Sequence, residues 1–144
     1  MLETLTEPTP LSMEQCVGLG NQQERARSAS EQRNNDLYYL AGLFDGEGYM
    51  GVTINRRKGN TPQYYPRASV VNTNMTIIDK VCQVLTDNGV AFHRLTWDAG
   101  LNEQKVRYTV DMTGFRRSFR FTYLIEPYLV AKKLQAQMVL AFLW

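Results

Sequence analysis

Residues 40–48 read Leu-Ala-Gly-Leu-Phe-Asp-Gly-Glu-Gly, and this segment says more about the fold than any other part of the chain. It continues an apolar stretch that begins at Leu37 and is typical of a buried helix. Ala41 and Gly42 carry little or no side chain, so a second backbone can come close to the helix here. Gly48 predicts the end of the helix, because glycine adopts the left-handed cap conformation without strain.

Two carboxylates, Asp45 and Glu47, fall in the last turn of this predicted helix. The C-terminus of a helix carries partial negative charge, so each acid there costs about 0.3–1 kcal/mol. A hard divalent cation such as Mg²⁺ would offset that cost, because it prefers oxygen ligands. The alternative is a glycine-rich turn with two solvated acids, and spacing alone does not decide between them.

The whole nonapeptide resembles the signature of the LAGLIDADG homing endonucleases. Six of its nine letters are identical to that motif, and the differences are Phe44 for Ile, Gly46 for Ala and Glu47 for Asp. Glutamate keeps the carboxylate of the motif and extends its reach by one methylene group.

The rest of the chain predicts an element order that fits the same family. After the motif helix, periodicity and breaker residues predict strands Tyr49–Arg57 and Tyr64–Thr73, a helix Thr76–Asn88, strands Ala91–Trp97 and Gln104–Met112 around a turn at Asp98–Glu103, a helix from Gly114 to Ile125 and a final helix Leu129–Trp144. This α-β-β-α-β-β-α order resembles the family's α+β fold, in which an antiparallel sheet forms a DNA-binding saddle.

Composition separates a polar N-terminal extension, residues 1–36, from residues 37–144. The resemblance implies that residues 37–144 form a LAGLIDADG endonuclease domain. The extension has six acids and three bases, whereas the domain has eight acids and thirteen bases, which weakly favours a polyanionic partner. Cys16 and Cys82 are more consistent with reduced thiols than with a disulfide. No signal peptide or membrane-length apolar run is present, so we expect a cytoplasmic or organellar protein that is not secreted and has no membrane partner.

The resemblance assigns roles to five residues, three of them in the motif and two later in the chain. Glu47 matches the family's metal-ligating acid, the carbonyl of Gly46 is placed near the metal, and Asp45 takes a lesser role at the metal site. Lys132 matches a lysine that organises water or the scissile phosphate, although a solvated helix residue is the alternative. Asn74 falls where the family often has a glutamine that positions water, and it completes the expected catalytic set with Glu47 and Lys132. The implied cofactor is Mg²⁺ or Mn²⁺.

Sequence readout should come from the polar faces of the two hairpins, because a two-stranded ribbon fits the DNA major groove. Arg56 and Lys58 are expected to touch phosphates. The sole histidine, His93, alternates away from Arg94 and is not expected to be catalytic. For each contact candidate an ordinary exposed strand residue is the alternative; the candidates are Thr53, Asn55, Arg57, Tyr65, Arg67, Ser69, Arg94, Thr96, Lys105, Arg107 and Thr109.

A single copy of the motif implies a homodimer, since members of the family with one copy cross two motif helices on a two-fold axis. Leu40, Ala41, Gly42 and Phe44 are the expected interface residues. A symmetric dimer supplies two active sites and fits a pseudo-palindromic double-stranded DNA target. The resemblance therefore implies an intron-encoded homing endonuclease, which makes site-specific double-strand breaks by hydrolysing phosphodiester bonds.

Three other interpretations remain open from the sequence. Proteins with this fold also act as RNA maturases, which would make intron RNA the partner, and degenerate copies bind DNA without cutting it. Retention of Glu47 and Lys132 favours the nuclease. Trp144 ends the sequence inside an apolar helix, which is also consistent with a piece of a larger two-motif or intein-type protein.

Overall fold

A computed structural model of the protein describes the backbone of residues 13–97 and 105–143, and side chains from residue 21 onward within those ranges. The predicted turn at Asp98–Glu103 and the helix end at Trp144 lie outside the described residues. The chain divides into two compact units, Met1–Asn35 and Asp36–Trp144. Over the described residues, no helix has both the length and the apolar character needed to cross a membrane.

The element order is the predicted one. Most boundaries are shifted by a few residues, but α1 begins at Met13, far ahead of the apolar stretch that starts at Leu37. Residues Glu126–Tyr128 form a single 3-10 turn before the last helix. In chain order the elements are α1 (Met13–Glu47), β1 (Gly48–Asn55), β2 (Gln63–Asn72), α2 (Met75–Asp87), β3 (His93–Trp97), β4 (Arg107–Thr113), α3 (Phe115–Ile125) and α4 (Lys133–Leu143).

The four described strands form one antiparallel sheet in the order β1-β2-β4-β3. Side chains of directly paired residues point to the same side of a sheet. The strand pairings therefore assign each residue to one of two faces. Gly51 pairs with Arg67, for example, and Asp111 pairs with both Ser69 and His93, so these residues share a face. We call this face the open face; its residues are Tyr49, Gly51, Thr53, Asn55, Gln63, Tyr65, Arg67, Ser69, Val71, His93, Leu95, Trp97, Arg107, Thr109, Asp111 and Thr113.

The opposite face of the sheet is apolar at its centre and forms the core with the helices. Met50, Val70 and Val110 are buried on this face. The ring of Phe44 in α1 meets the ring of Phe121 in α3 edge to face, with centroids 5.0 Å apart. All five side chains belong to one buried cluster, so the packed part of α1 is fixed against the sheet.

Two positive-φ glycines mark turns where the sequence predicted breaks. Gly59, with φ of 89°, lies in the β1–β2 turn, where the Asn60 N–H donates to the Arg57 carbonyl at 3.1 Å. Gly89, with φ of 70°, follows α2 and donates to the Thr86 carbonyl at 3.1 Å.

Gly48 ends α1 for a reason that differs from the predicted one. The positive-φ glycines of the described residues do not include it, so it is not a left-handed cap. It is instead the first residue of β1, and a Cβ atom at this position would overlap the ring of Phe44. The motif needs glycine here because the backbone lies directly against a core aromatic ring.

The motif helix turns its apolar stripe toward its own chain, which corrects the predicted dimer interface. Leu40, Ala41 and Phe44 have no exposed surface in the single protomer. With Leu37 they recur at i, i+3, i+4 and i+7, which is the spacing of a stripe that faces one core. Of the four predicted interface residues, Gly42 alone is exposed.

Candidate active site

The Glu47 side chain lies at the end of α1, beside the open face of the sheet. It is exposed and lines an open cavity of about 300 Å³ together with Val71, Asn72, Thr73 and Arg107. The end of β2, the end of the motif helix and an arginine of β4 therefore meet at one place. A carboxylate held there is accessible to a ligand approaching the sheet.

Asn72, at the end of β2, fixes the orientation of this carboxylate. Its side-chain Nδ2 donates a hydrogen bond to Oε2 of Glu47. Its Oδ1 accepts the backbone N–H of Asn74 at 2.7 Å. Because a backbone N–H can only donate, the amide oxygen must face Asn74, and the amino group must then face Glu47. Asn72 thus holds Oε2 of Glu47 and donates no hydrogen bond to Oε1.

Asn74 has a structural role that the sequence analysis did not predict. It is the N-cap of α2, and its Oδ1 accepts the backbone N–H groups of Thr76 at 3.0 Å and Ile77 at 3.4 Å. This is the ordinary use of asparagine at the start of a helix. The residue that contacts the motif acid is Asn72, two positions earlier, which the sequence analysis missed. The cap signature before the apolar period of α2 is the signal that separates the two asparagines.

Asp45 is engaged by the turn that precedes α4, so the structure does not support it as a metal ligand. Its Oδ2 accepts the backbone N–H of Val130 at 2.8 Å, and its Oδ1 accepts that of Lys132 at 2.9 Å. Burial alone would raise the pKa of this carboxyl, but the N–H groups of residues 130–132 and the charge of Lys132 together hold it below its ordinary value. The acid that is unfavourable at the end of α1 is favourable at the N-terminus of α4.

Lys132 lies near the end of the motif helix, in the turn that precedes α4. Its Nζ donates to the Asp45 carbonyl at 2.5 Å and lies 6.0 Å from the centroid of the Phe44 ring. The predicted helix start at Leu129 is wrong, because the Asp45 carboxylate binds the N–H groups of the intervening turn. The first bond of α4 runs from the Ala136 N–H to the Lys132 carbonyl at 2.9 Å.

The open face carries most of the predicted DNA contacts. Ser69 and Thr109 lie on this face but are only 5% and 4% exposed, so they present little surface to a ligand. Arg57 lies in the β1–β2 turn and Lys105 precedes β4, outside the strands that were predicted to contain them. The predicted contacts with accessible side chains in the strands of this face are Thr53, Asn55, Tyr65, Arg67 and Arg107.

Arg94 and Thr96 are on the wrong side of the sheet to join these residues. Their partners in β4 are Val110 and Tyr108, which belong to the packed face. Nη1 of Arg94 lies 2.7 Å from Oδ1 of Asp79 in α2. The hydrogen bond that Arg94 donates to Asp79 raises the pKa of Arg94, and the pair links the edge strand to a helix. Alternation within a single strand does not show which alternating set faces the core, and β3 is too exposed for burial to reveal it.

Comparison with solved structures identifies the fold. The homing endonuclease I-CvuI, in complex with a DNA target, matches with a TM-score of 0.65 and 19% identity over 78% of this chain and 68% of that one. The archaeal intron-encoded homing endonuclease I-Vdi141I, complexed with DNA, gives 0.60 and 16% over 76% and 67%. The group I intron-encoded homing endonuclease I-CeuI, also complexed with DNA, gives 0.59 and 12% over 99% and 77%.

The predicted α+β fold of the LAGLIDADG homing endonucleases is confirmed by these matches. No known sequence-family model and no curated protein matches the chain.

Proposed function

We propose that the protein is a site-specific endonuclease that cleaves both strands of DNA as a homodimer, with Mg²⁺ or Mn²⁺ as cofactor. The observation that carries this proposal is the position of Glu47, an exposed carboxylate oriented by Asn72 beside a sheet face with accessible arginines. The structural neighbours support it, since they are named homing endonucleases. I-CvuI was solved with the I-CreI target in the presence of Mg and with its own target in the presence of Ca.

The residues present fit a hard cation held with the help of DNA. Among the described side chains, no group of three or more His, Cys, Asp or Glu residues converges on one point. Mg²⁺ is usually held by one or two carboxylates together with substrate phosphates and water, so a complete protein cage is not needed. Glu47 supplies the carboxylate, and the Gly46 carbonyl belongs to the last turn of α1, where carbonyls lack intrahelical partners.

The bound metal would lower the pKa of a water molecule and stabilise the developing charge on the phosphate. The protein's own residues would hold and orient these groups. Asn72 keeps Oε2 of Glu47 in place, so that Oε1 points away from the amide. Lys132, whose ammonium group lies against the last turn of α1, would bring positive charge to the scissile phosphate. Asn74 and Asp45 accept backbone N–H groups at this site, and we give them structural roles in this proposal.

DNA would lie along the open face of the sheet. A two-stranded ribbon can enter the major groove, where arginine recognises guanine and Asn or Thr contacts other base edges. Arg67 and Arg107 are the arginines of this face among the described strand residues. The turn between β1 and β2 places three consecutive basic side chains, residues 56–58, at the end of the ribbon. This position suits contacts with phosphates.

A second protomer would pack on the exposed side of α1. Gly42 and Gly46 are both exposed and four residues apart, so they lie on one helix face. A Cβ atom at either position would meet nothing in the protomer, so the protomer itself does not require glycine there. A partner helix approaching closely on the two-fold axis would require it, and the pairing would supply the second active site that a double-strand break needs.

Incubation of the protein with a random duplex DNA library tests the proposal. We expect double-strand cleavage at a pseudo-palindromic site with Mg²⁺ and none with EDTA. Binding of a specific sequence without cleavage in either condition would show a DNA-binding module and contradict the nuclease. Cleavage that persists in EDTA would contradict the role of the metal.

A further inference from the structure

Asp111 in β4 is an acid on a face that we propose receives DNA. Among the strand residues of the open face that the structure describes, it is the one carboxylate. An acid on a surface that meets phosphates is unfavourable, because it repels the polyanion. The inference below rests on the proposed function and asks what this carboxylate does there.

The Asp111 carboxylate is contacted on both oxygens, by one residue of the neighbouring strand β2 and by one residue of its own strand. Oδ2 lies 3.4 Å from Nη2 of Arg67 in β2, and Oδ1 accepts a hydrogen bond from the Thr113 hydroxyl. The side chain of Asp111 is 14% exposed and that of Arg67 is 41% exposed. The acid is therefore mostly covered, while a large part of the arginine faces outward.

The ion pair keeps one end of the guanidinium group beside Asp111. Nε of Arg67 is buried and has no hydrogen-bond partner in the described protein, so it does not reach the ligand side. Nη2 is directed to Asp111. The planar group carries five N–H donors, so holding one end leaves the donors at the outer edge in a defined plane. Pre-orientation of this kind reduces the entropy lost when two parallel hydrogen bonds form.

The same geometry favours a base over a phosphate as the ligand of Arg67. The pair lines an open cavity of about 460 Å³ with Tyr65, His93 and Arg117. A phosphate bound to Arg67 would approach the Asp111 carboxylate and be repelled by it. Guanine instead offers two neutral acceptors, O6 and N7, in the major groove, and their spacing matches an arginine fork.

We propose that Arg67 recognises a guanine in each half-site of the DNA target and that Asp111 is the positioning residue that holds Arg67 for it. Thr113 in turn holds Asp111. Asp111 touches no base, so its effect on recognition is exerted through Arg67.

Selection of cleaved DNA sites with the wild type and with Asp111→Asn tests this inference. The variant removes the charge and keeps the shape, so we expect the preference for one guanine per half-site to fall about 10-fold or more while cleavage of other sites continues. Asp79→Asn is the matched control, because it removes an acid paired with a strand arginine on the opposite face. The control should leave every base preference unchanged.

Arg67→Lys and a modified base provide a second test, which does not require the Asp111→Asn variant to fold. The lysine variant keeps the positive charge and should lose the guanine preference with little change in the dependence of affinity on salt. Replacing that guanine by 7-deazaguanine removes N7, and it should weaken binding by the wild type but not by Arg67→Lys.

An unchanged guanine preference in both variants would overturn the inference and leave the nuclease assignment standing. Failure of the wild type to select any site would overturn both.

Discussion

The two acids of the motif have separate tasks despite lying in one helical turn. Asp45 accepts two backbone N–H groups and joins the end of α1 to the start of α4. Glu47 is exposed and contacts only the amide of Asn72 among the hydrogen bonds described at this site. Of the two negative charges at this helix end, that of Asp45 stabilises the fold, and that of Glu47 is accessible to a cation.

Matched carboxylate-to-amide substitutions separate these tasks. Asp45→Asn replaces one acceptor oxygen by an amino group that faces a backbone N–H. We expect it to lower the free energy of unfolding by about 2 kcal/mol, the scale of a hydrogen bond to a charged group. Glu47→Gln keeps the Asn72 contact possible and should change stability by less than about 0.5 kcal/mol. Urea denaturation measures both, and equal destabilisation would contradict the division of tasks.

The stabilising effect of Asp45 should depend on pH. Its pKa is lowered in the folded state, so its contribution is complete above the ordinary aspartate value of about 3.9 and is lost as the pH falls through the folded value. The stability difference between wild type and Asp45→Asn should therefore be largest near neutral pH and shrink in acid. Urea denaturation at about pH 7 and about pH 3 measures it, and a difference that stays constant would contradict the ionised role.

Asn72 and Asn74 provide a second matched pair at this scale. Asn72→Ala removes the donor to Glu47, and we expect cleavage to fall by about 10- to 100-fold, as for the loss of a group that orients a metal ligand. Asn74→Ala removes the cap of α2 and should cost about 1 kcal/mol of stability with little change in the cleavage rate of the folded protein. Cleavage assays and thermal melts of both variants decide, and a larger cleavage defect in Asn74→Ala would restore the sequence-based assignment.

At the scale of the elements, α1 has one buried face and one exposed face around the motif. Leu40, Ala41 and Phe44 are buried in the core, whereas Gly42 and Gly46 face outward. The apolar letters of the motif therefore stabilise the protomer, and the glycines are free to meet another helix.

Gly42→Leu tests whether that exposed face is the dimer interface. A Cβ atom there meets nothing in the protomer, so helix content should be retained. Close approach of a partner helix should be blocked, and we expect sedimentation to show a shift from dimer to monomer. Ser30→Leu is the control, because it adds the same side chain at another exposed position of α1. A dimer that survives Gly42→Leu, or a wild type that is monomeric, would contradict the proposed interface.

The element order was predictable because most of the elements have a strong local signal. The apolar period of α2 and the breakers at Gly59 and Gly89 lie where the structure has its helix and turns. The side of β3 that faces outward was not predictable. Arg94 and Leu95 occupy alternating positions that look alike in the sequence, and only pairing with β4 assigns them to faces.

The start of α4 was also beyond a local prediction. Residues 129–132 look helical in the sequence, but Asp45, more than eighty positions away, binds their N–H groups. Interactions of this separation are set by the tertiary fold. The same holds for the contact between Asn72 and Glu47, which closes across 25 positions.

For the whole molecule, the proposed function makes one protomer half of a nuclease. It provides one accessible motif carboxylate, one lysine against the end of α1 and one open sheet face. In a dimer that packs through the Gly42 side of α1, the two sheets would lie side by side along the DNA. The two copies of Glu47 would then lie near the two-fold axis. The central claim is that Glu47 is needed for cutting and not for folding or binding.

Cleavage and binding of a selected target by Glu47→Gln measure this claim most directly. Glu31→Gln is the control, since it makes the same change at an exposed position of the same helix. We expect Glu47→Gln to bind the target with wild-type affinity and to cut it more than about 100-fold more slowly in Mg²⁺, while Glu31→Gln cuts normally. Cleavage by Glu47→Gln at the wild-type rate would contradict the assignment of this active site.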